Sequence, residues 1–265
     1  MAQIPDEALR GEARETYDAF APFYDRFTSD YDHAAWTRTL EEIAVNAGLQ
    51  GCRLLDVACG TGKSFLPMLE RGYRVTAFDV SPRMVALAAQ KSGGRARVTV
   101  HDMRQLPRLG EFDLVWCLDD ALNYVLEATD LVAAFTSIRD NLHEHGVLLF
   151  DVNSVRSYRS FFATLSVVSE TDCVLVWDGE TSDEFVSGDL ALAKVEALER
   201  SHEGTWRRTE IGHRQRHHPE SLIRSALDAA ELRCVGVYGM QLDGSTHPGF
   251  DEMENSKAVY VCTRR

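Results

Sequence analysis

Basic residues are scarce in this chain: 28 Lys and Arg stand against 41 Asp and Glu, a formal net charge of −13. Nucleic acids and anionic membranes are bound by Lys and Arg that neutralise phosphates, so the balance argues against both as partners. Long apolar runs are missing too, since no stretch approaches the roughly 18 residues of a membrane span. The N-terminus, MAQIPDEALRGEARETYDAF, mixes acids with bases from Asp6 onward and lacks the apolar core of a signal peptide, which predicts a cytoplasmic protein. Paired cysteines are absent as well. Cys52, Cys59, Cys117, Cys173, Cys234 and Cys262 are scattered with no C-x-x-C, several of them in apolar strand patterns. They read as free thiols of a reducing compartment, with no disulfide framework and no metal site.

What is present suffices for one large core: the 265 residues are 45% hydrophobic, so a single domain with room for an inserted segment is expected. The stretch Arg53 to Ser64, RLLDVACGTGKS, carries the strongest local signal. Leu54, Leu55 and Val57 read as a short buried strand. Gly60 and Gly62 allow a tight turn with close backbone approach, and Ser64 to Gly72 reads as a helix. Such a strand, turn and helix leave backbone N–H groups free at a positive helix end, suited to a carboxylate, a ribose or a phosphate. Tyr73 to Val80, YRVTAFDV, is a second strand ending in Asp79, whose carboxylate can accept bonds from both hydroxyls of a ribose. The ligand should therefore contain a nucleoside. Neither GxGxxG nor a phosphate-cradling GxxxxGKS/T occurs, which disfavours a dinucleotide and a triphosphate. Asp56 lies inside an apolar strand, where a carboxylate is costly unless bonded, and N–H groups of the glycine turn or a cationic ligand group are its expected partners.

LLDVACGTG followed by FDVS resembles the cofactor-binding half of the class I S-adenosylmethionine-dependent methyltransferases. The resemblance covers residues 50–152, extends more loosely to 17–25 and 219–263, and hardly touches the segment between. It implies S-adenosyl-L-methionine as cofactor, S-adenosyl-L-homocysteine as product, and cofactor contacts from Asp56, Ala58, Gly60, Gly62, Asp79 and Val80. It also implies a Rossmann-like, mostly parallel sheet of seven strands.

Near the N-terminus, Tyr17, Phe20, Tyr24 and Phe27 recur at helical spacing, as a packed amphipathic helix would. The alternative is a cover over the cofactor. YDAFAPFYD, Tyr17 to Asp25, matches the YDxxAxxYD segment that folds over the methionine end in methyltransferases this chain resembles, so Tyr17 and Tyr24 are carried over as cofactor contacts. Trp36, Leu40, Ile43, Ala44 and Ala47 mark one face of the next helix, which Gly48 ends. Ser81-Pro82 opens a helix after the second strand, and RARVTVH is a third strand ending at His101-Asp102-Met103. The resemblance makes Asp102 the acceptor for an adenine amine and packs Met103 on the ring; a plain Asx turn at Asp102 is the other reading.

The fourth strand, EFDLVWCL, runs into DDALNYV, and ligands of open parallel sheets bind beyond the carboxyl ends of strands. Asp119, Asp120, Asn123 and Tyr124 are thereby placed where methyl group and acceptor meet, with helix capping as the alternative for the aspartates. The Asn/Asp-Pro-Pro-Tyr segment of nucleic-acid amino-methyltransferases is absent. The segment instead resembles small-molecule methyltransferases, in which backbone near Cys117 and Leu118 contacts the methionine ammonium. GVLLFDV is the fifth strand.

From 153 to 218 helical periodicity fades, and CVLVWDG, LALAKVEAL and TWRRTEIGHRQRHH read as strands of an antiparallel β lid inserted after the fifth strand. Period-2 alternation turns His213 inward, either as a core residue or as a base. A helix after Pro219 and the strands LRCVGVYG and AVYVCTR close the domain, around a loop, MQLDGSTHPGFDEMEN, expected to be mobile near the pocket mouth. The expected division is an N-terminal helical cover (1–33), a cofactor-binding core (34–152), the lid (153–218) and the closing elements (219–265).

The function this reading predicts is in-line methyl transfer to a small-molecule acceptor, N- or O-, such as a natural-product or amino-sugar intermediate. Acids outnumber bases around the pocket, which favours an amine. Candidates for the reactive end are Asp119, Asp120, Asn123, His213 and Tyr24. Self-association into a homodimer is left open. Two rivals remain: a protein that binds S-adenosylmethionine without transferring its methyl, and a nicotinamide-dependent oxidoreductase, against which the missing third glycine counts.

Overall fold

The structure, a computed structural model, describes residues 6–182, 184–201 and 203–265, with side chains from residue 11 onward. Two helices lead in, α1 (Asp6–Phe27) and α2 (His33–Asn46). Asp32 caps α2 by accepting the Ala35 N–H at 3.0 Å, and Gly48, in the left-handed region, lets the chain leave it. Five parallel strands follow, β1 (Arg53–Val57), β2 (Arg74–Asp79), β3 (Arg97–Val100), β4 (Phe112–Cys117) and β5 (Leu142–Asn153). They are interleaved with α3 (Leu66–Glu70), α4 (Pro82–Ser92) and α5 (Ala128–Asn141). Successive strand residues point to opposite faces, so Leu55, Val115 and Phe150 join one core with α5 while Leu54, Trp116 and Leu149 join the other with α2.

After β5 come α6 (Val155–Ser160), β6 (Leu165–Ser169), β7 (Cys173–Gly179), β8 (Leu190–Arg200) and β9 (Trp206–Arg216). The four strands pair antiparallel in the order β6-β7-β8-β9 as a separate sheet. Its apolar face takes Phe20 and Phe23 of α1, together with Tyr158, Leu175, Trp177 and Ile211. Neither α6 nor β6 was expected; a helix of six residues is too short for periodicity to register, and Ser154 caps it through the Ser157 N–H.

The chain closes with α7 (Glu220–Ala229), β10 (Leu232–Met240), β11 (Thr246–Pro248) and β12 (Lys257–Arg264). The large sheet therefore has eight strands, β11-β10-β12-β5-β4-β1-β2-β3, where seven were expected. The extra strand lies in the segment expected as a mobile loop. Gly244 turns it back in the left-handed region, the Gln241 N–H bonds Ser245 O at 2.8 Å, and the Asn255 side chain ties Asp251 to His247. Cys59, Cys117, Cys173 and Cys262 are buried, Cys52 is exposed, and all six thiols are free. Among the described residues no helix is long and apolar enough to cross a membrane.

Candidate active site

A cavity opens at the carboxyl ends of β1, β2 and β4, roofed by α1. The glycine turn supplies Ala58, Gly60 and Lys63, the tip of β2 supplies Asp79 and Val80, and the end of β4 supplies Leu118 and Asp119. Met103, Tyr124 and the α1 side chains Tyr17 and Tyr24 complete it. The backbone at these strand ends is unusual: Ala58, Asp119 and Asp120 all adopt positive φ of 52° to 57°. Such conformations are costly for residues with a Cβ, least so for Asp, and cluster where a surrounding structure holds them for a purpose.

Asp79 is buried at the cavity wall. Its Oδ2 accepts the Gly60 N–H and its Oδ1 the Ser81 N–H, both at 2.9 Å. Each carboxylate oxygen keeps a further lone pair for a ligand hydroxyl. Burial pushes the carboxyl up to about 6. Two residues beyond Gly60, Gly62 is needed for the turn, since its φ is +90° and a Cβ on it would meet the Phe65 ring at 2.9 Å.

Asp56 differs from expectation. Its partner is the Ser64 hydroxyl at 2.6 Å rather than the glycine turn, whose Gly60 N–H goes to Asp79 and whose Gly62 N–H goes to Cys59 O. Burial pushes Asp56 up to about 7. It sits behind the cavity wall, touching it through Ser64, which does line the cavity. Cys117, likewise, is fully buried within β4, whereas Leu118 faces the cavity.

At the end of β3, where the adenine was expected, Asp102 behaves as the Asx reading predicted, accepting the Arg104 N–H at 2.9 Å, and it also pairs with the Arg104 guanidinium. Asp102 and Arg104 border a groove contiguous with the cavity through Val80 and Met103, to which Arg14 of α1 contributes.

The post-β4 turn splits its expected residues. Asp119 lines the cavity and bonds His33 Nε2 at 3.3 Å, with Lys257 Nζ at 3.8 Å. Burial opposes its ionisation, yet the His33 bond and the Lys257 charge hold its carboxyl below the ordinary range. Asp120, expected at the reactive end, is instead committed to the fold: it accepts from Lys257 Nζ at 2.7 Å and Gln215 Nε2 at 2.6 Å, and its N–H bonds Asp151 at 3.0 Å. Asn123 is fully buried with both amide groups used, Nδ2 donating to Arg216 O at 2.8 Å and Oδ1 accepting the Asn153 N–H at 3.0 Å. Tyr124, expected at the same end, does line the cavity.

His213 does turn inward, as the alternation predicted, and is 3% exposed. It does not line the cavity; its Nδ1 lies 2.8 Å from the Tyr124 hydroxyl. Burial pushes the imidazole down to about 4 and the Tyr17 and Tyr24 phenols well above their ordinary values.

Sequence reasoning offered no sign of the bonds that fasten α1 over the glycine turn. Asp25 accepts the Thr61 hydroxyl at 2.6 Å, Lys63 Nζ donates to Thr28 Oγ1 at 2.7 Å, and Asp18 accepts from Ser81 Oγ. The α1 aromatics divide: Phe20 and Phe23 are buried against the antiparallel sheet, while Tyr17 and Tyr24 pack at its margin and also line the cavity. Among the described residues no cluster could hold a metal ion.

Comparison with known proteins bears on this site. A family model described as a methyltransferase domain matches residues 54–146. The chain is 36% identical over 144 residues to a protein of Geobacillus sp. (strain WCH70) named as a methyltransferase, a match covering 52% of this chain and 58% of that protein. It is 30% identical over 193 residues to YqeM of Bacillus subtilis (strain 168), also named as a methyltransferase, covering 64% of this chain and 76% of YqeM. Two crystal structures share its fold. An S-adenosylmethionine-dependent methyltransferase from Clostridium acetobutylicum ATCC 824 superposes with a TM-score of 0.77 at 24% identity, covering 94% of this chain and 98% of that one. The sugar N-methyltransferase KedS8 from Streptoalloteichus sp ATCC 53650 gives 0.69 at 22% identity, covering 100% and 94%. The glycine turn, the buried acid at the second strand tip and these likenesses agree: the chain belongs to the class I S-adenosylmethionine-dependent methyltransferases.

Proposed function

We propose that the chain methylates a nitrogen of a small-molecule acceptor. The observation that carries this reading is how the candidate bases are engaged: Asp119, which lines the cavity, is paired with His33 and faced by Lys257. His213 is pushed too far down to hold a proton near neutrality, the Tyr17 and Tyr24 phenols are pushed too far up to release one, and Asp120 is tied to Lys257 and Gln215. An alcohol or phenol gains from general-base help, whereas an amine needs only to bind neutral and correctly placed. The likeness to the sugar N-methyltransferase KedS8 supports the same acceptor class.

The residues present fit the cofactor this family uses. Asp79 suits the ribose, Val80 and Met103 the adenine with Asp102 beside it, and the acid-rich end at Asp119, Asp120 and Asp151, countered by Lys257, suits the cationic methionine end. When bound, S-adenosylmethionine supplies a methyl group made electrophilic by its sulfonium. The chain's own contribution is to exclude water with Tyr17, Tyr24 and Tyr124 and to hold the acceptor nitrogen in line. We read α1 as a cover and the antiparallel sheet as a lid. The cavity beneath α1, about 70 Å³, runs into the groove of about 740 Å³ bordered by Asp102 and Arg104, and together they give room for a nucleoside ligand.

Calorimetry with S-adenosylhomocysteine, followed by its release from S-adenosylmethionine with matched panels of amines, alcohols and phenols, tests the proposal. Turnover confined to amines is expected. Turnover confined to phenols or alcohols would refute N-methylation, and cofactor binding with no turnover on any panel would favour a binding protein without methyl transfer.

A further inference from the structure

Tyr124 belongs to the cavity wall, and His213 stands behind it. The Tyr124 hydroxyl lies 2.8 Å from His213 Nδ1. The other ring nitrogen, Nε2, is buried and has no hydrogen-bond partner among the described residues. The imidazole is surrounded by aromatic rings instead. Phe20 lies 5.2 Å away between centroids at 81°, Tyr17 at 6.2 Å and 89°, and Trp177 at 5.3 Å and 45°.

A neutral imidazole carries its one N–H on either nitrogen. With the proton on Nδ1, Nε2 would bring a desolvated lone pair among π electrons with nothing donating to it, a full penalty for a buried acceptor. With the proton on Nε2, the near-perpendicular rings of Phe20 and Tyr17 allow an N–H to rest against an aromatic face, a weak but favourable contact. Nδ1 is then a bare acceptor. Burial pushes His213 down to about 4, so the doubly protonated ring does not compete near neutrality. The Tyr124 hydroxyl therefore donates to His213, and its oxygen keeps lone pairs only, which the Tyr17 hydroxyl and the Gln215 amide also approach from the protein side.

We propose that His213 is a positioning residue that holds the Tyr124 hydroxyl as a donor to its Nδ1, so that Tyr124 presents the cavity with a hydrogen-bond acceptor and selects an N–H-bearing group where the methyl is transferred. The inference deepens, and rests on, the reading of the chain as an amine methyltransferase. No proton is passed to His213. A neutral amine that donates one N–H to Tyr124 has its lone pair left free and oriented for attack, which is a positioning effect.

Two measurements test this. In protein labelled with ¹⁵N-histidine, the nine histidines give ring-nitrogen signals, and His213 is identified as the one lost in His213→Asn. At neutral pH His213 should show a bare Nδ1 and a protonated Nε2; a protonated Nδ1 overturns the proposal, whatever the activity. The second measurement compares affinity for sinefungin, which carries an ammonium in place of the sulfonium methyl, with affinity for S-adenosylmethionine, which is cationic there but has no N–H. Tyr124→Phe should lower the sinefungin preference about tenfold or more, the loss of one charge-assisted hydrogen bond. His213→Leu should do the same, while His213→Asn, which keeps an acceptor near the Nδ1 position, retains most of the preference. If His213→Leu does not fold, Tyr124→Phe and the wild-type spectrum still decide. A preference that survives Tyr124→Phe overturns this inference alone. A wild type that binds neither compound overturns the methyl-transfer reading and this inference with it.

Discussion

Lys257→Met is the perturbation whose consequence the structure specifies most closely. Lys257 Nζ lies 2.7 Å from Asp120 Oδ1, 2.8 Å from Asp151 Oδ2 and 3.8 Å from Asp119 Oδ1, with its side chain 14% exposed. Burial alone would pull the ammonium down, but the three carboxylates outweigh it and hold Lys257 well above its ordinary range. Asp151 is fully buried, and its Oδ1 has no hydrogen-bond partner among the described residues, so bulk solvent does not screen its charge. Methionine preserves much of the volume and removes the charge. Taking one partner from a buried ion pair typically costs about 3–5 kcal/mol. For a chain of this size that corresponds to a fall of roughly 6–20 °C in Tm. The pH dependence identifies the cause. Burial already pushes Asp151 up to about 6 with Lys257 in place, and removing the ammonium raises it further, so the penalty is full at pH 7.5 and shrinks as Asp151 protonates toward pH 5. Scanning calorimetry at both pH values is the assay, with Lys257→Met/Asp151→Asn as the variant expected to recover part of the loss. A melting point within about 2 °C of wild type at pH 7.5 would refute the reasoning. An equal loss at both pH values would assign it to packing instead.

Three further outcomes are expected. Asp79→Ala leaves the ribose hydroxyls without a charged acceptor, worth about 1.5–3 kcal/mol per bond, so affinity for S-adenosylhomocysteine should fall at least about tenfold by calorimetry; unchanged affinity in a folded variant would remove Asp79 from the site. Hydrogen exchange across residues 17–31 should slow when S-adenosylhomocysteine is added, because Tyr17 and Tyr24 of α1 line the cavity; equal rates would mean that α1 is part of the permanent core. Asp56, pushed up to about 7 by burial, holds its proton in the folded chain after the unfolded chain has lost it near about 4. Its contribution therefore weakens stability as pH rises through that window and levels off above about 7, so urea titrations of Asp56→Asn should show a flatter pH dependence than wild type there; parallel curves would show that Asp56 does not titrate in that window.

The features legible in the sequence were those whose cause is local. The glycine turn, the acid at the tip of β2 and the 3.6-residue spacing of α2 are each decided within a few residues of chain. The fates of Asp120 and Asn123 were not legible, because their partners lie far along it. Asp120 answers to Lys257, 137 residues on, and Asn123 to Arg216, 93 residues on. A polar residue just past a parallel strand reads as a site residue until such a partner is known. The same distance hid the fastening of α1, since Thr61 and Ser81 carry no mark that distinguishes a hydroxyl bonded to Asp25 or Asp18 from one exposed to water. Short elements escaped for another reason. The three residues of β11 cannot establish alternation, and their pairing follows from the turn at Gly244 rather than from their own composition.

This division explains why the cofactor can be read more securely than the acceptor. The expected cofactor contacts come from strand ends of one sheet, so a single stretch of sequence specifies most of them. The acceptor end is assembled from α1, the turn after β4 and β9, three segments that meet only once the antiparallel sheet has docked on Phe20 and Phe23. Within that assembly the chemistry rests on a hydrogen-bond direction between Tyr124 and His213, 89 residues apart. The period-2 pattern of β9 correctly turned His213 inward, but periodicity carries no information about which ring nitrogen holds the proton. That is decided by what surrounds Nε2, and the surrounding rings come from α1 and β7, on either side of the histidine in space and far from it in sequence.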